Sequence, residues 1–157
     1  MKDKLIARLL KEGKLKKQTV GLVQVEKLLR EAVIDMEEAS KIRDISERGT
    51  YLLAYAGMLK TGRALVLFLG YVPDDGAQHK TVTEIVGACL GEKFSKITAH
   101  FERMRRKRND LTYEAGTLLS GSEAKEALAD AKKLIREIAN YIRSQDPQSR
   151  FDFDIAQ

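Results

Sequence analysis

Tryptophan is absent from the 157 residues, proline occurs twice and cysteine once. The single cysteine, Cys89, allows no intrachain disulfide and no cysteine-based zinc site, and it makes a reducing, cytoplasmic setting the natural expectation. Two histidines, His79 and His100, do not make a metal site without carboxylates that the sequence does not place beside them, so neither a metal nor a cofactor is expected. The longest strongly apolar run, 64–69, falls far short of the roughly 20 residues that a membrane span needs. The opening Met-Lys-Asp-Lys shows no apolar region of a signal peptide. No P-loop, no G-x-G-x-x-G and no G-x-S-x-G is present.

What is present favours helix. Hydrophobic residues make up 43% and charged residues 32%, ordinary for a globular chain. Ala, Leu, Glu, Lys and Arg are abundant, and all are good helix formers. Lys and Arg total 28 against 23 for Asp and Glu, so the net charge of +5 is only a mild pull toward acidic partners. Apolar periodicity predicts helices over 3–12, 21–45, 50–69, 81–90, 93–118 and 122–142. The segment 50–69 is apolar almost all round, with small residues Ala54, Ala56, Gly57, Gly62 and Ala64, and reads as the central helix. Ser120 and Glu123 have capping-box spacing ahead of the last helix. A basic connection covers 14–19, and the one true loop, 71–80, holds Pro73, Asp74, Asp75 and His79. No segment alternates with the period of a strand over a useful length. The expectation is an all-α antiparallel bundle of five to six helices, one domain over 1–146, with a polar tail over 147–157.

The fifth segment carries the chemistry. Phe94, Ile97, Phe101, Met104, Arg108, Leu111, Ala115 and Leu118 alternate by three and four, which puts Arg108 inside an apolar seam. A guanidinium there is either paired with a carboxylate, snorkelled to solvent, or placed at an interface or ligand site. Glu102, Arg106, Asn109 and Tyr113 share a neighbouring face, with Glu102–Arg106 as an expected i,i+4 pair. With Arg103, Arg105 and Lys107, the run Arg-Met-Arg-Arg-Lys-Arg over 103–108 concentrates positive potential where an anion would offset self-repulsion. Local acids leave most of that cluster uncompensated. His79 reads as a loop or cap residue, His100 as a packed or solvent-edge histidine, Cys89 as a small core residue, and Asp74-Asp75 as a turn.

The stretch Phe101-Glu-Arg-Met-Arg-Arg-Lys-Arg-Asn-Asp-Leu-Thr-Tyr113 resembles the signature helix of HEPN domains, in which an Arg is followed by a polar residue and, four positions beyond that residue, by a His. Arg108-Asn109 matches the first half. Tyr55-Ala56, Gly62-Arg63-Ala64-Leu65, Gly70-Tyr71-Val72-Pro73, a loop with His79 and a closing Ser-x-Ser-Glu-Ala helix extend the similarity to small stand-alone HEPN proteins over roughly 5–143. The motif His is replaced by Tyr113. In a second register Arg106 and Tyr113 match, and Leu111 stands at the His position.

The resemblance implies a homodimer with a composite cleft acting on RNA without a metal. Arg108, Asn109 and Tyr113 would be the catalytic set, and Arg103, Arg105, Arg106 and Lys107 the phosphate-binding one. It implies a toxin-like component paired with a nucleotidyltransferase antitoxin. Tyrosine titrates near about 10 and is a weak base near neutral pH, so the expected activity is a slow endoribonuclease or RNA binding alone. The alternative is a non-catalytic or nucleotide-binding module whose Tyr113 is bound or modified by the nucleotidyltransferase. Tyr113 as a half-buried aromatic at a helix interface stands beside both.

Overall fold

The computed structural model describes residues 2–19, 21–74 and 78–146. Among the described residues there are six helices and one minimal sheet: α1 (Lys2–Lys11), β1 (Leu15–Lys17), α2 (Leu22–Ile42), α3 (Glu47–Phe68), β2 (Tyr71–Pro73), α4 (Gln78–Leu90), α5 (Ser95–Tyr113) and α6 (Gly121–Gln145), with a 3₁₀ turn at Glu92–Phe94 before α5. The all-α bundle is the observed architecture. No described helix is long and apolar enough to cross a membrane. The tail 147–157 lies outside the described residues.

α3 is the central helix. Its buried residues occur on all sides, and it packs chiefly between α2 and α6, with α4 and α5 closing the rest. Ser46 starts it, accepting a bond from the Gly49 N–H at 2.9 Å. The α2–α3 pair is antiparallel, because its contacts run in opposite senses along the two helices. A Cβ at Gly49 would meet Ile42, one at Gly57 would meet Met36 and Ala32, and Lys60 Nζ reaches Asp35 at 2.9 Å. Gly57 and Gly62 therefore serve close approach; a Cβ at Gly62 would collide with Val82 of α4. Val25, Leu29, Ala32, Val33, Met36 and Ala39 of α2 are buried as their spacing predicts, whereas Leu22, expected to begin the same stripe, is exposed at the first residue of the helix. On α6, Ala124, Leu128, Ala131, Ile135, Ile138 and Ile142 are buried likewise.

Four expectations need correction. First, β1 and β2 pair antiparallel, with Lys16 opposite Val72, where only connections were expected. Three residues are too few for periodicity to register. The pair is extended by Gln18 N–H to Gly70 O and Asp74 N–H to Lys14 O, both 2.9 Å. Asp75, the other half of the expected turn, lies outside the described residues. Second, α5 ends at Tyr113 rather than 118. Glu114 is extended, Gly116 takes φ 79°, and the Thr117 hydroxyl donates to Asp110 O at 3.2 Å. Ala115 and Leu118 are consequently exposed and leave the seam, while Ile97, Phe101, Met104 and Leu111 stay in it. Third, α4 begins at Gln78, so His79 is helical. Fourth, α3 begins at Glu47, three residues before the expected start, because Ser46 caps it.

Candidate nucleic-acid interface

α5 is held from two sides. Its apolar seam lies against the core, and Phe101 is fully buried with its ring 5.8 Å from that of Tyr55 on α3. Glu102 ties it to α4: Oε2 accepts from the Thr83 hydroxyl at 3.1 Å. The same carboxylate holds Arg105 bidentately, Nε to Oε2 at 2.9 Å and Nη2 to Oε1 at 2.6 Å. Arg106 is only a secondary partner at 3.5 Å and is 74% exposed. The expected Glu102–Arg106 pair is present, but it is joined by a shorter i,i+3 pair whose geometry lets a guanidinium fork meet both oxygens. The hydrogen bond from Arg105 holds the Glu102 carboxyl below the ordinary carboxylate range.

The cationic run is less uncompensated than its local acids suggest. Lys107 Nζ reaches Glu123 Oε2 at 2.8 Å, a partner sixteen residues away on α6. Glu123 is also the capping-box acid: it accepts from Ser120 N–H while Ser120 Oγ accepts from Glu123 N–H. The cap therefore fixes the position of Lys107's partner. Arg103, Arg106 and Arg108 carry the remaining charge. Arg108 is half-buried, and Nη1 donates to Asn109 Oδ1 at 3.3 Å. Neither Arg103 nor Arg108 has an ion pair among the described residues. Tyr113 closes the helix 73% exposed rather than packed between helices.

Sequence reasoning missed His79. Its ring lies against Tyr55, centroids 5.9 Å apart, and Nδ1 is 3.0 Å from the Tyr55 hydroxyl. Burial first, then the positive fields of Arg108, Arg63 and Arg105, push His79 below its ordinary value. Burial likewise pushes the Tyr55 phenol up and keeps it neutral, against the opposing fields of Arg105 and Arg108. His79 and Tyr55 thus lie within the field of the α5 arginines, brought there by α4 and α3. The signal available in the sequence was a Tyr in the small-residue helix and a lone His at the start of the next one. Neither has a spacing relation to the motif.

His100 is buried, with Nδ1 2.6 Å from Asp130 Oδ2 on α6. With Glu126 these two residues offer ligand atoms within 4.8 Å of one another. Arg103, Lys96 and Lys133 line the groove that holds Asp130 and Glu126, and their charge opposes a cation there. A second cationic groove of about 660 Å³ is lined by Arg43, Lys125, Lys132 and Arg136, with Asp44 as its acid. Sequence reading passed over it because these cations lie far apart along the chain. Burial pushes the Cys89 thiol up, in keeping with a packing role. Searches against family models and against curated proteins find no match for this chain.

Proposed function

We propose that this chain is a HEPN-type RNA-directed protein, the toxin-like member of a pair with a nucleotidyltransferase, that binds RNA along α5 and cleaves it weakly. The observation that carries the reading is Arg108: half-buried in an apolar seam, with a neutral amide as its hydrogen-bond partner and no carboxylate among the described residues. A guanidinium so placed matches a phosphate, which it can hold through two parallel hydrogen bonds. Arg106 adds an exposed positioning charge, Arg103 lies in the groove of Asp130 and Glu126 on a different face of α5 from Arg108, and Arg105 and Lys107 reach RNA only by sharing or leaving Glu102 and Glu123. On this reading two copies meet near Arg106–Tyr113. The exposed Tyr113 and Leu118 supply apolar contact area against the repulsion of two cationic faces.

Single-stranded RNA should bind with an affinity that falls steeply with salt. Arg108→Ala should remove binding and any cleavage, and Lys107→Ala should lower affinity modestly. RNA binding that is the same at low and high salt would overturn the reading. A second reading, a module whose Tyr113 is modified by the nucleotidyltransferase, is favoured by the exposure of that side chain. A mass increase on incubation with such a partner and nucleotide, lost in Tyr113→Phe, would select it.

A further inference from the structure

The resemblance leaves no histidine in the motif, yet the fold delivers one to the α5 arginines from another helix. We propose that His79, held by the Tyr55 hydroxyl on the side of α3 against which the Phe101 ring of α5 packs, is the group that takes the proton from the ribose 2′-hydroxyl of an RNA strand bound at Arg108. The inference rests on the RNA reading and deepens it.

The geometry is specific. Nδ1 of His79 bonds to the Tyr55 hydroxyl at 3.0 Å, and Nε2 has no hydrogen-bond partner among the described residues. When Nδ1–H donates to the Tyr55 oxygen, the Nε2 lone pair is free to accept a proton. The phenol oxygen accepts from Nδ1–H in both the neutral and the protonated ring, so it holds the ring in either protonation state. Tyr55 in turn is fixed by the Phe101 ring, so the same residue that seats α5 also seats the His79 partner. Among the described residues, the charged groups whose fields act on His79 are Arg63 from α3, and Arg105 and Arg108 from α5.

The step balances without a co-reactant other than water. Nε2 takes the 2′-hydroxyl proton, and the 2′-oxygen forms a bond to phosphorus. The bond from phosphorus to the 5′-oxygen breaks, and that oxygen takes a proton from water. The hydroxide so formed takes back the proton from His79. The products are a 2′,3′-cyclic phosphate and a 5′-hydroxyl end.

The arginines serve this step in two ways. In the free protein their field, added to burial, keeps His79 unprotonated and ready to accept. A bound phosphate neutralises that field, so the imidazole becomes more basic once substrate is present. Basicity is thereby coupled to occupancy.

The test is a histidine NMR titration of the full chain, with and without a 2′-O-methyl oligouridine, which binds through its phosphates but has no 2′-hydroxyl to react. His79→Gln, which keeps a polar partner for Tyr55, identifies the His79 signal. The expected result is a His79 titration below the ordinary histidine range in the free protein that moves upward on binding. In Arg108→Ala the free-protein value should rise and the shift on adding oligonucleotide should shrink. Cleavage of total RNA in a chelator should fall by about 10²- to 10⁴-fold in His79→Gln while oligonucleotide affinity is retained. If the oligonucleotide binds in a salt-dependent way and His79 does not move, the inference is overturned and the RNA reading stands. If the oligonucleotide does not bind at any salt concentration, both fall.

Discussion

The two histidines sit in opposite electrostatic settings. His100, where α5 meets α6, is buried against a carboxylate at 2.6 Å. His79, where α4 meets α3, is half-buried against a neutral phenol at 3.0 Å, in the field of three arginines. The first has a carboxylate as its hydrogen-bond partner, and that bond ties two helices together. The second has a neutral partner that fixes its orientation, and of the arginines whose fields reach it Arg105 is paired with Glu102 whereas Arg108 has no carboxylate partner among the described residues. On the proposed reading the difference separates a structural histidine from a chemical one: the His100 bond is made to a carboxylate, whereas His79 lies in the field of Arg108, which has no carboxylate partner among the described residues.

Phe101 is where the two settings meet, one residue from His100 and with its ring tilted against, at 5.8 Å, the Tyr55 that holds His79. Phe101→Ala should have the largest effect, a loss of about 3–5 kcal/mol in denaturant unfolding, together with perturbed signals from both histidines. A loss confined to one histidine's surroundings would break the idea that one ring seats both. Asp130→Ala should come next. It leaves the buried His100 ring without its acceptor, at a cost of about 1–3 kcal/mol, and should leave RNA affinity unchanged. Affinity lost at full stability would instead place the His100 groove in the binding surface.

How much of this was legible in the sequence follows from which interactions are local. The α2 and α6 stripes, the Ser120–Glu123 cap and the small-residue character of α3 are written in spacings of three and four, and each is found where its period puts it. The early end of α5 was hidden because Ala115 and Leu118 keep the apolar period past the point where Glu114 turns extended. Lys107–Glu123 and Tyr55–His79 were hidden for a different reason. Both join residues sixteen or more apart, on helices whose mutual rotation no single-helix pattern specifies. Arg108 was legible as an anomaly because a charge in an apolar seam violates a local rule. What surrounds that anomaly depended on tertiary packing.

Arg108→Ala tests whether that anomaly is structural. An arginine serving the fold through a carboxylate would cost several kcal/mol when removed. Arg108 has no such partner among the described residues, so its removal should change stability by no more than about 0.5 kcal/mol while RNA binding is lost. A large loss of stability at unchanged binding would assign Arg108 to the core.

The smallest effect is a pH dependence that belongs to His79 alone. Its value in the folded chain lies below the ordinary 6.5, so as pH falls through 6.5 the unfolded chain takes up a proton that the folded chain refuses. Stability is therefore lost progressively on acidification below 6.5 and is fully present above it. Glu102 does not act in the same window. Its value lies below the ordinary 4.5 because Arg105 donates to it, so its contribution holds above 4.5 and is lost only as pH falls through its lowered value. Urea unfolding at several pH values between roughly 7 and 5 should show the wild type losing stability faster than His79→Gln. His100 is common to both proteins and cancels in the comparison. Parallel curves would mean that the arginines and burial do not bear on His79, and the two histidines would then no longer be distinguished by their surroundings.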